Sequence, residues 1–115
     1  MTKPRTGVLF VCLGNICRSP LAEAIFVHKA REQGVLDHFD VDSAGMGDWH
    51  AGERADPRTI RVGRERGVDV FSIARQLRPK EDLARFHWLI AMDRTHVHGM
   101  ARLGADRDRM HLMMA

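Results

Sequence analysis

The residues with the clearest chemical potential form the segment CLGNICRS, from Cys12 to Ser19. A loop that enters a helix directs backbone N–H groups inward, and the helix dipole adds partial positive charge, so such a loop binds a tetrahedral oxyanion. Arg18 could bind two phosphate oxygens with its planar fork. A thiol at Cys12 would share this positive field and would face the bound phosphorus as a thiolate nucleophile. The Ser19 hydroxyl could donate to that thiolate, and we therefore expect phosphoryl-transfer chemistry here.

The sequence on both sides of this segment predicts how it is positioned. Residues 7–12 are a near-continuous apolar run, typical of a central parallel strand that is buried on both faces. Gly14 and Asn15 tolerate left-handed backbone, which suits a tight connection. Ser19, followed by proline, predicts a helix start with serine as the cap. A cysteine and an arginine six positions apart are a weak signal alone, and the alternative is a structural cysteine near a surface arginine.

Strands and helices alternate along the rest of the chain. Further strands are predicted at 39–43, 87–92 and 109–114, and helices at about 19–34, 57–67, 79–84 and 95–103. This alternation predicts an α/β fold with a parallel sheet and helices on both faces, because crossover connections are right-handed. Trp88, in the third strand, is expected in the core. Such folds bind ligands at the carboxyl ends of strands, near the point where strand order reverses, and we place residues 12–18 there.

Composition limits the class of protein. A chain of 115 residues is enough for one domain with a modest core, and 44% hydrophobic with 29% charged residues is typical of a globular protein. The net charge of +3 weakly favours anionic partners and does not indicate nucleic acid. No apolar stretch is long enough to predict a membrane span. Two cysteines are too few for a secreted disulfide framework, so a cytoplasmic location with reduced thiols is expected.

The segment VCLGNICRSP, residues 11–20, resembles the signature of the low-molecular-weight protein tyrosine phosphatases. The similarity continues in order through SAG at 43–45, WH at 49–50 with Gly52, AD at 55–56 with Arg58, ARQ at 74–76 and AMD at 91–93. The resemblance implies a four-stranded parallel sheet in a phosphatase I-like three-layer sandwich, a cysteinyl-phosphate intermediate, no metal and no other cofactor. The implied substrates are phosphotyrosine proteins or small aryl phosphates, with inorganic phosphate as product. Nucleic acid and membranes are not expected as partners.

The resemblance also implies a role for individual residues. It makes Cys12 the nucleophile and Arg18 the phosphate clamp. The phosphate-binding loop would comprise Leu13, Gly14, Asn15, Ile16, Cys17, Arg18 and Ser19, supported by Asn15, Ser19, Ser43 and Ser72, with Leu13 and Trp49 lining the substrate pocket. Ser72 stands where the family usually has a histidine, so a water could fill the gap or the loop could be held less tightly.

Two further implications concern protection and acid catalysis. The family suggests a reversible disulfide between Cys12 and Cys17 that protects the nucleophile from over-oxidation; the alternative is that Cys17 is only a small buried residue. The family's general acid is an aspartate in an Asp-Pro loop after the fourth strand. We therefore expect residues 1–115 to form a single domain of this type that lacks the usual C-terminal segment and has reduced activity. The general acid is unknown and expected beyond Ala115, whereas Asp56 is expected to cap the second helix.

Two other functions are compatible with the sequence. An arsenate reductase could share the loop, although that chemistry needs further cysteines to relay a disulfide outward, and both cysteines here lie in the loop. A phosphate-binding remnant with little activity is the second alternative, because the acid is not identified. His96 and His98 lack the neighbours that would complete a metal site. The arginines at 58, 61 and 64 share a helix face, which is a solvated face or else a docking patch for an acidic phosphoprotein.

Overall fold

The computed structural model describes residues 5–113. Its strands are β1 (Thr6–Cys12), β2 (Phe39–Gly45), β3 (Trp88–Ala91) and β4 (Met110–Leu112). Its α-helices are α1 (Arg18–Glu32), α2 (Pro57–Glu65), α3 (Pro79–Arg85) and α4 (Arg94–Arg102). Short 3₁₀ turns at Leu36–His38 and Arg107–Arg109 precede β2 and β4. The predicted elements are therefore confirmed in type and order.

The four strands form one parallel sheet in the order β2-β1-β3-β4. The chain leaves β1 to add β2 on one side and later adds β3 on the other side, so the strand order reverses at β1. A crevice opens at such a point, outside the carboxyl ends of the strands. Cys12 is the last residue of β1 and is paired with Gly45, the last residue of β2. The predicted position of the loop at this switch point is confirmed.

Strand β1 is buried on both faces, as its apolar run predicts. Leu9 and Val11 are fully buried in a cluster that includes Met100 of α4. Val8 and Phe10 point to the opposite face, where they form a second cluster with Ala22 of α1. Burying an aliphatic side chain of this size contributes about 1.5–3 kcal/mol. The two clusters fix the direction of β1, and with it the position of the loop that follows.

Two sequence predictions are wrong in detail. Helix α1 begins at Arg18, and Cys17 occupies the cap position without a capping side chain, so Ser19 is not the cap. Its hydroxyl is used inside the loop instead. Trp88 is not in the core, because 46% of its surface is exposed and its ring stacks on that of His111 with centroids 4.6 Å apart. Strand β3 is apolar at all four positions, which predicted burial on both faces, but it is less covered than β1.

The start of α2 agrees with its prediction. The Asp56 side chain accepts a hydrogen bond from the backbone N–H of Arg58 at 2.8 Å, so it caps the helix. The backbone N–H of Asp56 also donates to the carbonyl of Ile16 at 2.8 Å, which fastens the start of α2 to the loop. Across residues 5–113 we find no helix with the length and apolar character needed to span a membrane.

Candidate active site

The loop between β1 and α1 is a tight turn around the sulfur of Cys12. Asn15 has a left-handed backbone with φ of 59° and is 1% exposed. This conformation turns its backbone N–H toward Cys12, where it donates to Sγ at 3.3 Å. Asparagine tolerates the left-handed region better than most residues, which explains how the chain reverses here without a glycine at that position.

Ser19 supplies a second donor to the same sulfur. Its Oγ lies 2.9 Å from Cys12 Sγ, and it accepts a hydrogen bond from Asn15 Nδ2 at 2.8 Å. Because a hydroxyl has one hydrogen to donate, accepting from Asn15 leaves that hydrogen available for the sulfur. Cys12 is 5% exposed. An O–H and an N–H thus converge on a buried sulfur, an arrangement that suits a thiolate.

Arg18 closes the other side of the loop. Its side chain extends from the first residue of α1, and Nη1 donates to the carbonyl of Met92 at 3.1 Å. The Met92 N–H in turn donates to the carbonyl of Val11, so the end of β3 positions the guanidinium. The donors of Arg18 that do not contact Met92 are available for an anion.

A layer of backbone beneath the loop fixes its shape. The Met46 N–H donates to the carbonyl of Cys12 at 2.9 Å, and the Gly47 N–H donates to that of Leu13 at 3.0 Å. Gly45 packs so closely that a Cβ placed there would lie 3.0 Å from the carbonyl carbon of Gly14. The segment after β2 is therefore bonded directly to the loop.

The Asn15 side chain is held from a distant part of the chain. Its Oδ1 accepts from the backbone N–H of Arg75 at 3.1 Å. The Arg75 guanidinium donates to both carboxylate oxygens of Asp82, at 2.8 and 3.0 Å, and to Asp42 at 3.2 Å. Asp82 is 2% exposed. Although burial opposes its ionisation, the hydrogen bonds from Arg75 and from the N–H of Arg78 outweigh it and hold the pKa of Asp82 below its usual value.

Ser43 and Ser72, both predicted to support the loop, lie one layer below it. The Ser43 hydroxyl donates to Glu23 at 2.5 Å. Ser72 Oγ faces the same carboxyl without reaching a hydrogen-bonding geometry, and this buried oxygen has no partner among the described residues. Neither serine hydrogen-bonds the loop with its side chain. Sequence reasoning missed Glu23, although its position four residues after Ser19 on α1 places it on the same helix face.

A cleft of about 450 Å³ opens above the sulfur. It is lined by Cys12, Leu13, Gly14, Ile16, Cys17, Arg18, Trp49 and His50. Leu13 and Trp49, predicted at the entrance, are 58% and 66% exposed. His50 was not predicted; its Nδ1 pairs with Glu53 Oε2 at 2.8 Å. Cys17 is exposed, so the alternative that it is only a small buried residue is wrong. A larger cleft, about 640 Å³, lies at the amino ends of the strands, far from Cys12.

No group of three or more potential metal ligands occurs within residues 5–113. His96, one of the two histidines considered as ligands, is 5% exposed. Its Nδ1 finds no hydrogen-bond partner in the described part of the chain. Burial lowers the pKa of His96 below its usual value.

Comparisons with known proteins agree on one family. The model of the family described as "Low molecular weight phosphotyrosine protein phosphatase" matches residues 7–115. The chain is 42% identical to the protein of that name from Schizosaccharomyces pombe over 115 residues, which covers 99% of this chain and 72% of the relative. It is 43% identical to the Sus scrofa protein of that name over 98 residues, covering 85% of this chain and 61% of the relative.

Solved structures give the same picture. The crystal structure of YfkJ from Bacillus subtilis superimposes with a TM-score of 0.90 at 36% identity, covering 96% of this chain and 70% of that one. The structure of DARP, a Drosophila arginine phosphatase, superimposes with a TM-score of 0.83 at 29% identity, covering 91% and 69%. The chain thus spans about 61–72% of the lengths of these four proteins.

Proposed function

Because the chain belongs to the low molecular weight phosphotyrosine protein phosphatase family, we propose that it hydrolyses phosphotyrosine in proteins through a phosphorylated Cys12. The observation that carries this proposal is the pair of donors on a buried sulfur, the Ser19 hydroxyl at 2.9 Å and the Asn15 N–H at 3.3 Å. This sulfur lies at the base of a cleft that Arg18 also lines. A purely structural cysteine would not need this arrangement.

In the first step the substrate phosphate binds in the loop and Arg18 binds two of its oxygens. The Cys12 sulfur donates its electron pair to phosphorus, the S–P bond forms, and the bond from phosphorus to the tyrosine oxygen breaks. The leaving oxygen takes that electron pair and a proton from a general acid. No carboxylate lines the described cleft, and the aspartate general acid that the family resemblance implies stays a prediction.

In the second step water attacks phosphorus in the cysteinyl phosphate. The S–P bond breaks, its electron pair returns to sulfur, and inorganic phosphate leaves. The Ser19 hydroxyl and the Asn15 N–H stabilise the departing thiolate, because hydrogen bonds to an ionised acceptor are stronger than those to a neutral one. The same two donors therefore serve both halves of the reaction.

The entrance of the cleft favours an aromatic substrate. Leu13, Ile16 and Trp49 offer apolar and aromatic surface to a phenyl ring. A phosphoarginine side chain would bring a guanidinium, and no carboxylate of the described lining is available to pair with it. We therefore propose phosphotyrosine proteins and small aryl phosphates as substrates, rather than the phosphoarginine implied by the name of the Drosophila relative. We also propose a cytoplasmic location, because a reducing compartment keeps Cys12 active.

The test compares three substrates: nitrophenyl phosphate, a phosphotyrosine peptide and a phosphoarginine peptide. We expect turnover of the first two, a trappable phosphoenzyme by intact mass, and loss of turnover in Cys12→Ser. Turnover that survives Cys12→Ser would refute the proposed nucleophile. A higher kcat/KM for the phosphoarginine peptide than for the phosphotyrosine peptide would refute the proposed substrate.

A further inference from the structure

A buried carboxyl, that of Glu23, lies beneath the phosphate-binding loop of residues 13–19, which we also call the oxyanion loop. It has no role in the reaction described above. Glu23 is on α1, one helical turn after Ser19, and is 3% exposed. It accepts one short hydrogen bond, from the Ser43 hydroxyl of β2. Burying an ionised carboxylate is costly unless it is paired with a cation. The charge state of Glu23 therefore depends on which charged groups surround it.

The cation that acts on Glu23, Arg75, is already shared by two other carboxylates. Arg75 donates to both carboxylate oxygens of Asp82. Its Nη2 also lies 3.1 Å from Asp42 Oδ2. Asp42 and Arg75 are the charged groups that act on Glu23. Strand β1, which packs on α1, contains no Asp, Glu, Lys, Arg or His, and the arginines of α2 are exposed. An ionised Glu23 would thus be a third carboxylate around one guanidinium.

We propose that Glu23 is a positioning residue that holds a proton near neutral pH, and that its ionisation weakens oxyanion binding in the loop above it. Burial is the largest influence on the pKa of Glu23, because it disfavours the charged form, and the pKa is raised to about 7. Asp42 raises the pKa further, whereas the Ser43 hydrogen bond and Arg75 lower it. The buried geometry and the shared cation both favour the neutral acid.

Glu23 is coupled to the loop through two elements. On α1 it follows Ser19 by four residues, so both side chains lie on one helix face, and Ser19 contacts the Cys12 sulfur. On β2 its partner Ser43 lies two residues before Gly45, which packs against the loop backbone. A negative charge added at Glu23 opposes an anion in the loop. Oxyanion affinity should therefore fall as pH rises through 7.

The first experiment uses sulfate, whose charge does not change between pH 6 and 8. It rests on the proposed function, because it assumes that the loop binds an oxyanion. The Cys12→Ser protein is used so that the bound sulfate faces a neutral hydroxyl. It is compared with Cys12→Ser/Glu23→Gln, which keeps a hydrogen-bond acceptor without the charge. Between pH 6 and 8 we expect sulfate affinity to fall at least about fivefold more in the protein that retains Glu23, the lower end of common site-to-site coupling. Equal pH dependence in the two proteins would overturn the proposal.

The second experiment leaves Glu23 intact and so does not depend on the folding of a Glu23 variant. Carbon-13 NMR of labelled glutamate in Cys12→Ser should show one carboxyl that titrates near 7, and saturating sulfate should move that titration upward, because linkage is reciprocal. Titration of every glutamate near the ordinary value, 4.5, would overturn the proposal. Absence of sulfate binding at any pH would refute the oxyanion loop itself, and with it the proposed function. Sulfate binding that leaves the Glu23 titration unmoved would refute only the coupling.

Discussion

Gly45→Ala tests whether the exact placement of the loop backbone matters for catalysis. A Cβ at this position would lie 3.0 Å from the Leu13 carbonyl oxygen, 3.0 Å from the Gly14 carbonyl carbon and 3.1 Å from the Asn15 nitrogen. All three atoms are backbone atoms of the oxyanion loop, so no flexible side chain can move aside. The loop itself must shift by a few tenths of an ångström.

The size of the effect follows from how narrowly catalytic geometry is defined. Catalytic groups need to be held within about 0.5 Å, and a misplacement of about 1 Å can cost about 100-fold in rate. We therefore expect Gly45→Ala to lower kcat/KM for nitrophenyl phosphate about tenfold. Overpacking of this kind also destabilises a fold by about 1–3 kcal/mol. The rate must accordingly be measured at a temperature where the variant is fully folded.

Gly7→Ala is the matched control. Gly7 lies near the start of β1, at the far end of the sheet from the loop, and its added Cβ would lie 2.9 Å from the Arg85 carbonyl oxygen. Neither Gly7 nor Gly45 has a positive φ, so alanine adds bulk without backbone strain at both sites. Urea unfolding should show similar destabilisation, whereas kcat/KM should fall only in Gly45→Ala. Unchanged kcat/KM in folded Gly45→Ala, or an equal loss in Gly7→Ala, would refute this reasoning.

Three further predictions concern the clamp, the ion pair beneath the loop and the second thiol. Arg18→Lys keeps the charge and loses the planar fork, so kcat/KM should fall about 100-fold, as when one transition-state donor is lost; wild-type kinetics would mean that Arg18 does not bind phosphate. Asp82→Asn should cost about 3 kcal/mol in urea unfolding, because it leaves the half-buried Arg75 without its main partner. Although burial opposes ionisation, hydrogen bonds that include those from Arg75 hold the pKa of Asp82 below its usual value. The contribution of Asp82 to folding stability is therefore present above the unfolded-state pKa and is lost as pH falls through the lower folded-state pKa. If the stability of Asp82→Asn falls with acid as much as that of wild type, this assignment is contradicted. Mild peroxide should remove two hydrogens from the intact mass by joining Cys12 to Cys17, reversibly with reductant; if Cys17→Ser recovers activity after peroxide as fully as wild type, the disulfide has no protective role.

The parts of the structure that sequence predicted are those encoded locally. The apolar run before Cys12 and the turn residues after it are contiguous, so the strand, the loop and the helix could be placed with little knowledge of the rest. The left-handed Asn15 is one such case. The alternation of elements was sufficient to predict a parallel sheet, because parallel strands require crossover connections.

The parts that sequence missed depend on contacts between distant segments. The hydrogen bond from the Arg75 N–H to Asn15 and the bond from Ser43 to Glu23 join residues far apart in the chain, and no spacing rule predicts them. The role of Ser19 was also missed for this reason. Serine is favoured as a helix cap, but here its hydroxyl contacts the Cys12 sulfur instead. The exposure of Trp88 depends on which elements cover the sheet, which a strand pattern does not encode.

The central position of β1 also has a consequence for the order in which the molecule assembles. β1 pairs with β2 soon after it in the chain, whereas β3 is much further along, and closing the longer loop costs more entropy. We expect β1, α1 and β2 to associate first during folding. The carbonyl of Met92, which positions Arg18, follows β3 and comes later. A newly folding chain would therefore form the pocket around its thiol before the arginine is held in place, and in that interval the sulfur would be most open to oxidants.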